Sequence, residues 1–150
     1  MILTQQSEHQ SQFKMSRLTN RLFSVIYFTD GENILSKDSN SEGQNHISLP
    51  YAEVHSENGS PRRTAEEICK IQTGILFPIE WLHFLDCTVS QYNPNETVVN
   101  MHFWLPATNI IRSIKLEKND FYWKPIKNLL KDPKITEIDK SVIQKLWKRL

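Results

Sequence analysis

Leu49–Ile75, LPYAEVHSENGSPRRTAEEICKIQTGI, is the stretch from which the fold can be read. It runs as an extended entry, a polar loop and one helix closed by a glycine. Ser60 is a good N-cap, and Pro61 suits the first helical position, where no backbone donor is lost. Ala65, Ile68, Cys69, Ile71 and Ile75 recur at helical spacing and predict the apolar face. Gly74 falls where a helix turns into its left-handed cap.

This loop and helix resemble the Nudix box, the signature of hydrolases that cut nucleoside diphosphates linked to another group. Its pattern is G-x5-E-x7-R-E-U-x-E-E-x-G-U, with U a bulky aliphatic. Ser60-Pro61 resembles the frequent E-S-P at the helix start, and Thr73-Gly74-Ile75 the closing T-G-U. Between those ends the acids are replaced. Glu53 stands at the first glycine, Gly59 at the first glutamate, Glu67-Ile68 at the Arg-Glu pair and Ile71-Gln72 at the Glu-Glu pair. Cys69, Gly74 and Ile75 keep to the pattern, Cys69 as a poor U.

Magnesium wants hard oxygen ligands in near-octahedral array, with carboxylates among them. On one helix those carboxylates must share a face, at spacings of three and four. Here that face carries Ile68, Ile71 and Gln72, which cannot hold the ion or neutralise a pyrophosphate. The resemblance therefore implies an α/β (α+β) class fold, a Nudix-like α/β/α sandwich with a mixed sheet, without the family's metal-dependent pyrophosphohydrolase activity. The expected role is binding, of a nucleotide-type small molecule, a protein partner or a second copy of the chain, with no cofactor. The alternative is a divergent hydrolase whose magnesium is held from new positions by Glu57, Glu66 and Glu67. Without a metal, Glu66 and Glu67 simply complement the helix N-terminal half and solvent.

Arg62 and Arg63 are the candidate phosphate contacts, since a helix N-terminus attracts anions and guanidiniums add charge-assisted bonds. His55, in the loop before the helix, is a candidate base or phosphate contact, and Tyr51 is a candidate stacking surface along with Phe103 and Trp104. His83 and Cys87 are four apart on a strand, too far for a zinc pair. Ile68 and Ile71 are expected to face the cleft under a loop, ligand or partner, because leaving both in water forgoes roughly 1.5–3 kcal/mol each of burial.

Outward from this stretch, residues 1–20 are polar and are expected to form a mobile arm, leaving 21–150 as a single domain. Arg21–Thr29, RLFSVIYFT, is apolar on both alternating faces and predicts a central strand. Asp30-Gly31 is a turn, with Asn33–Ser36 as the returning partner, and 37–45 reads as an exposed loop before a short strand over His46–Leu49. Trp81–Ser90 and Thr97–Leu105 read as an antiparallel pair about Asn93-Pro94-Asn95, and Ile110–Leu116 as a further strand. Glu117–Asp120 is read as a loop. Phe121-Tyr122-Trp123 before a helix at Ile126–Leu130 resembles a late Nudix segment. The last helix, over Thr136–Leu150, would bury Ile138, Val142, Leu146 and Leu150, with Trp147 beside them.

The chain has 150 residues, 39% hydrophobic and 23% charged, which suits one folded domain and excludes a disordered chain. No apolar run reaches bilayer length, the first residues lack a signal-peptide core, and two cysteines make no disulfide framework, so no membrane and a cytoplasmic setting are expected. Residues 1–111 carry 7 Lys/Arg against 12 Asp/Glu and residues 112–150 carry 11 against 5, which sums to the net +1. The late lysines are spread among prolines and leucines without arginine clustering, so they read as solvated helix faces rather than a nucleic-acid reader.

Overall fold

The two-faced apolarity of RLFSVIYFT is explained by its place in the computed structural model, which describes residues 19–41, 43–55, 59–106 and 120–150. Strand β1 (Thr19–Thr29) runs through the middle of a sheet with helices on both sides. Ile26 and Phe28 enter one core, Val25 and Tyr27 the other. Strand β2 spans Asn33–Ser41, β3 Gln44–Ser48, β4 Tyr51–Glu53, β5 His83–Asn93, β6 Glu96–Pro106 and β7 Tyr122–Pro125. The main path is β3-β2-β1-β6-β5, with β4 pairing β1 and β7 pairing β2. Strand β6 lies parallel to β1 along its whole length, from Thr19 opposite Glu96 to Thr29 opposite Pro106. The other pairings are antiparallel, so the sheet is mixed.

Helix α1 (Pro61–Ile68) sets Ala65 and Ile68 against Ile26, Phe28, Phe103 and Leu105 on one face. Helices α2 (Ile126–Lys131) and α3 (Glu137–Arg149) cover the other, where Ile126, Leu129, Val142, Ile143 and Leu146 meet Val25, Tyr27, Ile34 and Ile47. The α/β/α sandwich is as expected. At roughly 1.5–3 kcal/mol for each large apolar side chain fully removed from water, these two clusters hold the layers together.

The start of α1 follows its sequence signals. Ser60 is extended (φ −125°), and its Oγ accepts from the Arg63 N–H at 3.3 Å. Ser60→Ala is expected to cost about 1 kcal/mol, read as a lower urea midpoint with an unchanged denaturant slope. The end of the helix departs from expectation. After Ile68 the chain widens into a π-turn over Cys69–Thr73, closed by Gly74 at φ 72°, and the Ile75 N–H and Thr73 hydroxyl both donate to the Cys69 carbonyl, at 3.3 and 2.6 Å. A turn bonded i to i+5 returns to the buried face later than an α-turn does. Cys69 and Thr73 are therefore buried and Ile71 is carried outward, 77% exposed.

Two further expectations are corrected. Within 37–45, residues 37–41 and 44–45 are strand rather than loop: β2 continues to Ser41 and pairs with β3, from Lys37 opposite Ser48 to Ser41 opposite Gln44. This hairpin is polar, so backbone hydrogen bonds make it without the apolar alternation that marks a half-buried strand. Asn33–Ser36 returns antiparallel to β1 as expected, with Thr29 opposite Ile34, and it also pairs with β7, from Asn33 opposite Pro125 to Ser36 opposite Tyr122. On α3, Val142, Ile143 and Leu146 are buried, Ile138 is half-buried, and Trp147 and Leu150 are exposed, Leu150 lying past the last helical residue. The readings for residues 1–18, for Ile110–Leu116 and for 117–119 lie outside the described residues. No helix among the described residues is long and apolar enough to cross a membrane.

Candidate functional site

Strand alternation places Arg21, Phe23, Val25 and Tyr27 on one face of β1. The parallel register sets Val98, Asn100 and His102 of β6 beside Arg21, Phe23 and Val25. Of these rows, Arg21, Phe23, Val25, Val98 and Asn100 floor a cavity of about 460 Å³, walled by His46–Leu49 and Tyr51 and bordered by Thr136, Ile138 and Asp139 at the start of α3. Size and lining, mostly apolar with a few convergent polar groups, are those of a small-molecule site.

At the rim, Arg21 grips Glu53 through two bonds, Nε to Oε2 at 3.1 Å and Nη2 to Oε1 at 3.0 Å, and reaches Glu96 Oε1 from Nη1 at 3.2 Å. Its guanidinium lies 5.0 Å from the Phe23 ring centroid. The bonds to Glu53 and Glu96 raise the Arg21 pKa, and the Arg21 bond holds Glu53 below the usual carboxylate range. Phe23 and Tyr51 form an aromatic wall, 6.1 Å between centroids and tilted by 53°.

Asp139 ties this lining to the core: the buried Tyr27 hydroxyl lies 3.2 Å from Asp139 Oδ1 and 3.0 Å from His102 Nδ1, and His102 Nε2 lies 2.7 Å from the Thr88 hydroxyl. Burial pushes His102 down to about 4, so the ring is neutral at pH 7. Burial also raises the Tyr27 and Asp139 pKa values.

A second, smaller cleft of about 190 Å³ lies along α1, between Ala52, Glu53 and His55 and the side chains of Thr64, Glu67, Ile68, Ile71 and Gln72. Gln72 Nε2 donates to the Tyr51 carbonyl at 3.0 Å, so its amide ties the π-turn to β4. Ile68 is 2% exposed and is covered by the chain's own core, while Ile71 lines the cleft and is 77% exposed. Among the described residues no three of His, Cys, Asp and Glu are grouped to hold a metal ion. With Glu53 engaged by Arg21 and Gln72 by the backbone, the donor set of this cleft does not fit magnesium.

Of the residues singled out in the sequence, Tyr51 borders the large cavity and His55 and Glu67 the small cleft. Glu66 is exposed on α1, and Glu57 lies outside the described residues. Arg62 Nη1 donates to the Leu82 carbonyl at 2.8 Å and its guanidinium stands 5.5 Å from the Phe103 centroid. Arg63 is exposed, and neither arginine borders the two cavities. Phe103 is a core residue, and Trp104 stacks on His83 at 4.7 Å. Sequence reasoning missed Arg21, Phe23, Asn100 and Asp139. An arginine inside an otherwise apolar central strand was the signal available for the first.

Comparison with solved structures places this architecture. A NUDIX hydrolase from Nitrosomonas europaea superimposes with a TM-score of 0.68 at 11% identity, over 87% of this chain and 90% of that one. The NUDIX domain of Shewanella oneidensis NrtR, solved with ADP ribose, matches with a TM-score of 0.62 at 15% identity, over 88% of each chain. The fold is Nudix-like. A longer NrtR chain, solved with a 27mer DNA, gives a TM-score of 0.62 at 16% identity over 89% of this chain and 61% of that one. No protein-family model and no curated protein sequence matches the chain. The Nudix-like fold accounts for the loop, helix and glycine at 59–74 and for the helices on both faces of a mixed sheet.

Proposed function

We propose that this chain is a Nudix-fold binding module that takes a nucleotide-type ligand in the cavity between β1, β6 and α3, without metal-dependent pyrophosphohydrolase chemistry. The cavity carries the reading: about 460 Å³ over Phe23, Val25 and Val98, with Tyr51 as an aromatic wall and Arg21, Asn100 and Asp139 as polar contacts. The ADP ribose in the NrtR neighbour supports the ligand class. Against hydrolysis stand Ile68, Ile71 and Gln72 at the positions that the resemblance assigns to glutamates.

Calorimetry with ADP-ribose, NAD and nucleoside triphosphates, with and without magnesium, tests this. Binding independent of magnesium and abolished by Val98→Trp, which fills the floor, is the expected result. Flat traces throughout would remove the ligand and leave a protein partner or a second copy as the role. The hydrolase reading draws on Glu67, which shares the small cleft with Glu53 and His55. Phosphate release from a dinucleotide panel, lost in Glu67→Gln, would put that reading in place of ours. Salt-dependent retention on an oligonucleotide is the check suggested by the DNA-bound neighbour.

A further inference from the structure

Strand β5 ends the main path of the sheet and pairs on one side only, with β6. It runs for 11 residues and contains no lysine, arginine or proline, the residues that commonly protect a sheet edge. Register shifts fall at Phe84/Asp86 and at Gln91/Asn93, so the stretch Asp86–Gln91 between them is regular. The first part of the edge is guarded. Asp86 Oδ1 accepts from the Cys87 N–H at 2.8 Å, Asp86 Oδ2 pairs with Lys145 of α3, and Arg149 donates to the Phe84 carbonyl at 3.5 Å. The Cys87 bond also gives a direction. That N–H points away from β6, so by the alternation of an antiparallel ladder the N–H and C=O groups of Val89 and Gln91 do too. Among the described residues, no backbone group bonds to them there.

The side chains place an apolar row at the same edge. Leu22 of β1 lies beside Val99 of β6, and Val99 beside Val89 of β5. All three share the face on which α1 packs, but α1 covers Ile26, Phe28, Phe103 and Leu105 further along. Leu22 and Val99 are left half-buried, and Val89 is 66% exposed. One more strand, carrying an aliphatic side chain to Val89, would complete both the ladder and the row. A second β5 is such a strand. Turned antiparallel about a two-fold axis at Val89, it sets Val89 against its own copy, Thr88 against Ser90 and Cys87 against Gln91. The outward groups of the two Val89 residues then bond to each other, and Cys87–Gln91 brings no charge into the pairing. Leu22, Val99 and Val89 of both copies become one continuous aliphatic row.

We infer that the open half of β5 is a self-association edge, through which two copies of this chain join as one sheet with Val89 on the two-fold axis. Such an interface is isologous, one patch meeting itself. Its apolar row lies on the opposite face of the sheet from the cavity, so it stands or falls independently of the ligand-binding reading.

Sedimentation equilibrium of the full chain tests it. A mass rising with concentration toward twice that of the chain is expected. Val89→Lys, at a position already open to water, should hold the mass at that of one chain with an unchanged urea midpoint. Cysteine pairing tests the register. In a Cys87→Ser background, Val89→Cys should oxidise to a covalent dimer. Gln91→Cys should not, because its two copies lie four positions apart along the pairing, about 13 Å. A dimer that Val89→Lys leaves intact, or one that crosslinks through Gln91→Cys in place of Val89→Cys, overturns the inference. So does a chain that stays monomeric at millimolar concentration. In that monomer, slow amide exchange at Val89 and Gln91 would mean that another segment of the chain takes the edge, and fast exchange would leave it to a strand of a different protein.

Discussion

Ile68→Glu is expected to destabilise the chain by about 3–5 kcal/mol, while Ile71→Glu changes stability by less than about 0.5 kcal/mol. Both substitutions restore an acid at a position that the Nudix resemblance assigns to glutamate, yet the structure treats them oppositely. Ile68 is 2% exposed in a cluster with Ala65, Cys69, Ile26 and Phe103, whose members are all apolar. A carboxyl there forfeits the buried aliphatic surface and must either take up a proton or stay charged without a partner. Ile71, three residues on, has been turned to solvent by the π-turn and is 77% exposed. Against a total of roughly 5–15 kcal/mol for a domain, the first change is a large fraction and the second is not. Urea unfolding of the two variants, with linear extrapolation, measures the difference. Equal losses would show that Ile71 is covered in solution, by a partner or a second copy. The wider consequence concerns function: a metal site cannot be rebuilt on α1 by replacing side chains alone, because the position nearest the core now belongs to the core.

The layers were legible because each rests on local chemistry. Apolar residues on both faces mark β1 as central, Ser60 and Gly74 bracket the helix, and Asn93-Pro94-Asn95 separates two β-rich runs that do pair as β5 and β6. The polar β2–β3 hairpin was not legible, since its bonds are between backbones and its side chains carry no alternation. Nor was the π-turn, because Cys69–Thr73 has the composition of an ordinary helical turn. The cavity was least legible of all. Arg21 meets Glu53 and Glu96 at separations of 32 and 75 residues, and Tyr27 meets Asp139 at 112. Such contacts are fixed by register and topology, and a single sequence shows neither. Thr136 illustrates the limit: its side chain accepts from the Asp139 N–H at 3.1 Å and reads as an ordinary helix cap, while the Asp139 carboxyl that it helps place lies at the end of the Tyr27–His102 file.

His102 should make the fold acid-sensitive over a defined range. Its ordinary value is about 6.5, and burial pushes it down to about 4 in the folded chain. Between those limits the unfolded chain binds a proton that the folded chain refuses, so stability falls as pH falls from 6.5 and levels off below 4. The full difference corresponds to roughly 3 kcal/mol, at about 1.4 kcal/mol for each tenfold step. Asp139 works the other way. Its raised value means that its protonated form is favoured by folding, so its contribution is complete at low pH and is lost as pH rises through its folded value. The net loss toward acid is therefore smaller than His102 alone would give. Urea midpoints at pH 7 and pH 5 measure the slope, and His102→Gln, which keeps a donor and an acceptor without titrating, is expected to flatten it. Identical slopes with and without the imidazole would mean that His102 takes its proton inside the fold. A charged His102 donates from both nitrogens, so Thr88 would have to turn its hydroxyl proton away from Nε2. The bond to Thr88 would then reverse, with the Nε2–H donating to the hydroxyl oxygen, while the Nδ1–H still donates to Tyr27.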